Sequence, residues 1–147
     1  MPRDYAVQVA GQILPHNVYM QIVYMLKDYH RMCRERESLL FSSSFNDGQP
    51  RGSGVGDPTA NKAVKLAALS ERVNEIDSVV HSFNAEYSNK IRRDDIETFD
   101  ALEAFDDYGC FCYMLYDPNS GKQPAYITWK RFRSRMAYEI AKKLKLF

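Results

Sequence analysis

Apolar residues recur at helical spacing in two long stretches of the chain, one after Asn17 and one after Pro58. Steps that alternate between four and three residues place an apolar stripe along one side of a helix, as in a coiled coil. The stripe positions are Val18, Ile22, Met25, Tyr29 and Met32 in the first stretch and Leu66, Leu69, Val73, Ile76, Val80, Phe83 and Tyr87 in the second. We expect each stretch to form one helix and the two to pack as an antiparallel hairpin over residues 17–91.

The helical spacing is lost between Phe41 and Asp57. Gly, Ser, Asn, Asp and Pro dominate this segment, which predicts a loop over residues 41–57. Its glycines would suit a phosphate-binding loop, but the spacing of that motif is missing. Residues 1–16 have little pattern, since Gly11 and Pro15 interrupt a weakly apolar stretch, and they predict an irregular N-terminal arm or a weak first turn.

Three shorter features follow the hairpin. Asp94 and Glu97 have the spacing of a capping box, which predicts the start of a third helix. Its apolar side would consist of Ile96, Phe99, Leu102 and Phe105. The nearly continuous apolar stretch 108–116 fits either a buried helix or a short strand, because periodicity alone does not separate the two. The sequence Asp-Pro-Asn-Ser-Gly over residues 117–121 predicts a turn.

The segment 127–147 predicts a basic amphipathic helix with Thr128 as its cap. Its apolar side consists of Trp129, Phe132, Met136, Ala137, Ile140 and Leu144. The other side carries the candidate DNA-binding residues Thr128, Lys130, Arg131, Ser134, Arg135, Tyr138, Lys142 and Lys145. Glu139 is the only carboxylate in this segment, so the free side should carry a positive potential.

Within such a helix, residues in the first turns reach base edges and later ones contact phosphates. We therefore expect Lys130, Arg131 and Ser134 to enter the major groove and the remaining candidates to contact the DNA backbone. Thr128 and the free amides at the helix start could hold a further phosphate. A helix of this kind could also be merely solvated, lie on a membrane or dock in a protein groove.

Charge is unevenly distributed along this chain of 147 residues, although its net charge is only +1. Residues 94–107 contain seven acids and no base, whereas residues 130–145 contain seven bases and one acid. The acidic segment could fold back on the basic helix and neutralise it when DNA is absent. It could instead engage a protein partner.

The remaining residues predict neither an enzyme nor a cofactor or metal site. His16, His30 and His81 fall on separate elements, and the pair Cys110 and Cys112 lacks the second pair of a structural zinc site. No long apolar run or basic leader is present, which predicts no membrane span and a cytoplasmic protein. Three cysteines cannot all pair, so we expect free thiols in a reducing compartment.

Two motifs resemble a family of phage-encoded regulators. The run 47–59, DGQPRGSGVGDPT, and the following 62–67, KAVKLA, are similar to the loop and helix start of ArpU- or RinA-like transcriptional regulators. The run 128–132, TWKRF, is similar to the end of those proteins, whose C-terminal part is related to region four of sigma factors. The resemblance implies a helical continuation through 108–116 and a helix-turn-helix-like unit over residues 92–147.

Together, the patterns predict an all-α protein with an arm (1–16), a helical hairpin (17–91) and a helix-turn-helix-like DNA-binding unit (92–147). The expected function is that of a phage or prophage transcriptional regulator in the bacterial cytoplasm, with double-stranded DNA as ligand and RNA polymerase as an additional partner. A symmetric pair of hairpins could form a homodimer. Two alternatives stay open: a protein like a phage terminase small subunit, and a helical adaptor without DNA affinity.

Overall fold

The computed structural model describes residues 7–9, 12–45 and 58–147, and most of these residues are helical. The prediction of an all-α fold is confirmed. The helices are α1 (His16–Lys27), α2 (Tyr29–Phe45), α3 (Pro58–Ser88), α4 (Ala101–Asp106), α5 (Tyr108–Leu115) and α6 (Tyr126–Lys143). The predicted loop over 41–57 lies mostly outside the described residues, and its first part, up to Phe45, belongs to α2.

A short β-hairpin precedes α1, in place of an irregular arm. Strand β1 (Val7–Val9) pairs antiparallel with β2 (Gln12–Leu14), so that Val7 lies opposite Leu14. β-Branched residues favour extended backbone, and both strands contain them. The Leu14 side chain is fully buried.

The stretch predicted as one helix from Asn17 is divided at Asp28. α1 ends at Lys27 and α2 begins at Tyr29. At this junction the Nε of Arg31 donates a hydrogen bond of 2.6 Å to the carboxylate of Asp28. Aspartate favours helix ends, because its side chain can accept hydrogen bonds that the backbone leaves unmade there. The prediction of a continuous helix was therefore wrong at this residue.

The chain forms two compact units that do not follow the predicted division at residues 16 and 91. One unit combines the described part of Met1–Lys27 with Glu75–Phe147 and is called here the mixed unit; the other is Asp28–Asn74. In the mixed unit, α1 packs against α6 and α4, which explains why α1 groups with the later helices.

The unit Asp28–Asn74 consists of α2 and the first part of α3. Among the described residues of this unit, the buried apolar side chains are Met32, Leu69 and Val73. Glu35 forms an ion pair of 2.7 Å with Lys65; Lys65 is exposed and Glu35 is half-buried. Polar contacts of this exposure contribute little to stability, so the small apolar interior carries most of it.

Aromatic rings from four segments meet in the core of the mixed unit. The ring centroids of Tyr87 and Phe99 are 5.0 Å apart, and those of Phe111 and Phe132 are 5.2 Å apart. Phe83 contacts the same Phe132 ring edge-on at 5.8 Å. Ring pairs in this distance range stabilise a core beyond the apolar area that they bury. The cluster thus joins α3, the segment before α4, α5 and α6.

The third helix begins later than predicted, because residues 91–100 are not helical and α4 starts at Ala101. Asp100 is the N-cap, and its side chain accepts hydrogen bonds from the amides of Leu102 and Glu103. The amide of Phe99 donates instead to the Ser88 hydroxyl of α3 at 2.9 Å. This contact holds the preceding segment against α3, so the capping box expected at Asp94 does not form a helix start.

Residues 108–115 form helix α5, as the family resemblance implied. Asp107 is its N-cap and accepts from the amide of Gly109 at 3.1 Å. The predicted turn follows: the amide of Asp117 donates to the Lys122 carbonyl at 2.8 Å, and Gly121 has a φ of 69°. Glycine adopts this left-handed conformation without strain. The turn brings the chain to Pro124 and the start of α6.

Candidate nucleic-acid interface

Helix α6 begins at Tyr126, two residues before the predicted cap at Thr128. The N-cap is Ala125, and no side chain caps the helix start. Thr128 lies in the first turn, where its amide donates to the Ala125 carbonyl at 3.0 Å, and its side chain is exposed. The capping prediction was wrong, because Ala125 is the last residue with extended backbone and the helix begins directly after it.

Most of the predicted apolar side of α6 is buried, whereas Leu144, which follows the helix, is half-buried. Trp129 is 7% exposed, Phe132 is 1% exposed, and Met136 and Ile140 are fully buried. The indole Nε1 of Trp129 also donates a hydrogen bond of 2.6 Å to the Ala104 carbonyl of α4. These contacts fix both the position and the rotation of α6, so the direction of its outer residues is determined by the core.

Tyr138 does not lie on the exposed side where the sequence placed it. Its side chain is only 7% exposed, and its ring centroid is 5.4 Å from that of Phe147. A side chain with this little exposed surface offers little area to a DNA phosphate. Tyr138 is therefore a core residue, and its assignment as a DNA contact is corrected.

Arg135, another candidate contact, is engaged within the protein. Its guanidinium forms an ion pair of 3.1 Å with Glu86 of α3 and lies 5.1 Å from the centre of the Phe83 ring. The Glu86 hydrogen bond raises the pKa of Arg135, which stays charged. Lys143 pairs with Glu75 of α3 at 3.9 Å. Both pairs reduce the positive potential on this side of α6.

The acidic run 94–107 does not neutralise α6 in this structure. Within residues 58–147, the acids that pair with α6 are Glu75 and Glu86 of α3, and none comes from that run. Asp100 and Asp107 of the run act as N-caps of α4 and α5. A groove of about 230 Å³ lies between α3 and α6 beside these ion pairs and is lined partly by Phe83, Arg135 and Glu139.

The exposed candidates are Thr128, Lys130, Arg131, Arg135, Lys142 and Lys145, whereas Ser134 is half-buried. The Ser134 hydroxyl donates to the Lys130 carbonyl at 2.9 Å, a local contact within the helix. Lys142 and Lys145 lie near the other end of α6 from Lys130 and Arg131. Arg135 lies between these ends but is paired with Glu86, so the exposed candidate cations without an ion pair to a described residue form two groups.

Sequence reasoning missed Ile127, whose side chain is 53% exposed at the centre of the outer side of the first turns. At about 100° per residue, it lies opposite Trp129 and Phe132 and between Lys130 and Arg131. This helical position was a usable signal, since an apolar residue opposite the buried stripe has no core to enter. An apolar residue flanked by cations suits a surface that contacts both bases and phosphates.

Arg133 was also missed. Its guanidinium carbon lies 4.7 Å from the ring centres of both Phe105 and Trp129 and 6.0 Å from that of Tyr19. Burial raises the pKa of the Tyr19 hydroxyl, an effect that Arg133 partly offsets. The sequence held a signal here too, because Arg133 falls among the apolar positions of the α6 pattern.

The connection between α5 and α6 comprises residues 116–125. Helix-turn-helix units join their helices by about three or four residues, so the connection is longer than in that motif. A hydrogen bond of 2.7 Å from the Tyr108 hydroxyl to the Pro124 carbonyl ties the end of the connection to α5. The long connection is thus fixed at both ends, by its turn and by Tyr108.

No group of side chains in the described ranges 7–9, 12–45 and 58–147 could hold a metal ion. The described cysteines are free thiols, and burial together with Asp107 raises the pKa of the Cys110 thiol, which favours its protonated form. No helix in the described part of the chain is long and apolar enough to cross a membrane.

Comparison with known proteins leaves the family of this chain open, because no protein-family model, no curated protein and no solved structure matches it. Membership of the ArpU- or RinA-like regulators therefore stays a prediction from sequence resemblance.

Proposed function

We propose that the protein is a DNA-binding transcriptional regulator that inserts the first turns of α6 into the major groove. One observation carries this proposal: the first turns expose Ile127, Lys130 and Arg131 on one side while Trp129 and Phe132 anchor the other side in the core. A contact helix needs this combination, because base readout requires a protruding side held in a fixed orientation.

The proposed contacts follow from exposure and position. Arg131 and Lys130 can donate to guanine base edges or to phosphates, and Ile127 can contact a thymine methyl group. Thr128 lies beside the uncapped helix start, where the backbone amides favour a phosphate. Lys142 and Lys145 would contact the backbone farther along the duplex.

Contacts within the protein narrow the set of candidate residues. Arg135 would have to leave Glu86 before it could bind a phosphate, so its contribution should be smaller than that of Arg131. The two arginines therefore form a matched pair on one helix: both are exposed, but only Arg135 forms an ion pair with a described residue.

Titration of a fluorescently labelled duplex at low and moderate salt tests the proposal. We expect binding that weakens steeply with salt, and an affinity about tenfold lower for Arg131→Gln. Arg135→Gln should have a smaller effect, and Arg34→Gln, which alters an exposed arginine of α2, should have none. Absence of binding at low salt would refute the proposal and favour an adaptor without DNA affinity.

Selection of bound sequences from random duplexes tests whether α6 reads base edges. Contacts of Lys130 and Arg131 with bases should enrich one motif, and enrichment of none would indicate contacts with the DNA backbone alone. Light scattering of the free protein tests the proposed homodimer, for which a mass of 17.0 kDa would indicate a monomer. RNA polymerase binding can be tested by co-purification from a bacterial extract.

A further inference from the structure

Arg133 of α6 forms no ion pair with an acidic residue of the described part of the chain. Arg135 and Lys143 pair with Glu86 and Glu75, but no carboxylate among the described residues pairs with Arg133. Its Nε is buried and forms no hydrogen bond. Arg133 as a whole is half-buried, so the residue stays partly accessible to a ligand.

Aromatic rings hold this guanidinium in place. Phe105 of α4, Trp129 of α6 and Tyr19 of α1 surround it at 4.7 to 6.0 Å between the guanidinium carbon and the ring centres. Cation–π contacts position an arginine without neutralising its charge, unlike a carboxylate. The rings thus keep the guanidinium oriented and positive.

Lys130, a second cation of α6, lies three residues before Arg133. Lys130 is exposed, and its Nζ lies 5.7 Å from the centre of the Tyr126 ring. Residues three apart on a helix are neighbours, and like charges at that spacing repel each other. Aromatic rings contact both cations, and no acid among the described residues pairs with either. The two neighbouring positive charges therefore favour the binding of an anion.

We propose that Arg133 and Lys130 form a binding site for a phosphodiester on the side of α6 next to α1 and α4. The planar guanidinium matches phosphate oxygens through two parallel N–H donors, and the ammonium adds a point charge. This inference rests on the proposed function, since it assigns the phosphodiester to the DNA backbone beside the groove that α6 enters. Arg133 would then be a positioning contact, in contrast to Arg131, which faces the bases.

The only tryptophan of the chain reports on this site directly, because its ring packs against the Arg133 guanidinium. Wild-type protein is titrated with duplex DNA, with dimethyl phosphate and with inorganic phosphate at constant ionic strength, while Trp129 emission is recorded. We expect saturable changes with the duplex and with dimethyl phosphate, and none of comparable size with chloride alone. A saturable response to inorganic phosphate without any response to the duplex would overturn the assignment to a nucleic-acid backbone.

Variants provide the second readout. Arg133→Gln should lower the slope of log affinity against log salt by about one, and Arg133→Lys should restore most of that slope. Arg72→Gln, at an exposed position of α3 outside the mixed unit, serves as the matched control. Circular dichroism excludes unfolded variants, and the wild-type emission titration stands even if Arg133→Gln does not fold.

The outcomes separate this inference from the proposed function. The phosphodiester site is refuted, while DNA binding stands, by two results together. The wild-type protein binds duplex with unchanged Trp129 emission, and the Arg133→Gln variant has the wild-type salt slope. Failure of the wild-type protein to bind duplex at low salt would refute both.

Discussion

The indole Nε1 of Trp129 donates a hydrogen bond of 2.6 Å to the carbonyl oxygen of Ala104, and both groups are buried. This bond joins the first turn of α6 to α4 and sets the rotation of the proposed contact helix. Together with the buried side of α6, this bond fixes the exposed positions of Ile127, Lys130 and Arg131.

Replacement of Trp129 by phenylalanine should therefore reduce both stability and DNA affinity. The Ala104 carbonyl would lose its partner inside the core, which costs about 1–3 kcal/mol. Urea unfolding followed by circular dichroism measures the change in free energy. Tyr24→Phe, which removes a polar group from a side chain that is 63% exposed, should leave the free energy of unfolding unchanged. Equal effects of the two variants would contradict a structural role of this bond.

Removal of the Tyr138 ring should destabilise the protein without a specific loss of DNA contacts. An aromatic side chain that is 7% exposed leaves a cavity when truncated, and Tyr138→Ala is expected to lower the free energy of unfolding by about 3 kcal/mol. Tyr24→Ala at an exposed site should change it by less than about 0.5 kcal/mol. A stable Tyr138→Ala variant with weakened DNA binding would instead return Tyr138 to the interface.

The N-cap at Asp100 should contribute measurably to the stability of α4. Asp100 accepts from the amides of Leu102 and Glu103, each at 3.2 Å. Asp100→Ala leaves these donors unmatched and should cost about 1 kcal/mol in thermal or chemical unfolding. Asp106→Ala removes an exposed acid near the other end of the same helix and should be neutral or slightly stabilising. An equal loss for both variants would show that charge, and not capping, is responsible.

The turn before α6 should respond to acid through Asp117. Hydrogen bonds from the Ser120 hydroxyl, which has the larger effect, and from the Asn119 backbone amide hold the pKa of the Asp117 carboxyl below its ordinary value. Because the folded pKa is lowered, the stabilisation by Asp117 is present above the ordinary aspartate range and is lost as the pH falls through the lowered value.

Ser120→Ala should consequently raise the pKa of Asp117 towards the ordinary aspartate value, as NMR titration of the side-chain carboxyl carbon can record. Thr98→Ala, which removes a hydroxyl at an exposed position before α4, should leave the Asp117 titration unchanged. An unaltered titration in Ser120→Ala would mean that the backbone amides alone lower this pKa.

The course of α6 shows which parts of the interface the sequence could predict. Burial of Trp129, Phe132 and Met136 followed from their spacing, because a helix must place such residues against a core. The same pattern contained Arg133 among apolar positions, a departure that pointed to a special environment. Its aromatic surroundings come from α1 and α4, which are distant in sequence, and no local pattern reports them.

The sequence by itself determined that the chain is helical, that the turn at 117–121 precedes a basic amphipathic helix, and which side of that helix is apolar. These properties depend on local spacing and on residue conformational preferences. Only the tertiary structure decided that Tyr138 is buried and that Arg135 is held by Glu86. Burial and ion pairing depend on which other elements approach the helix, and that approach is set by the packing of the whole core.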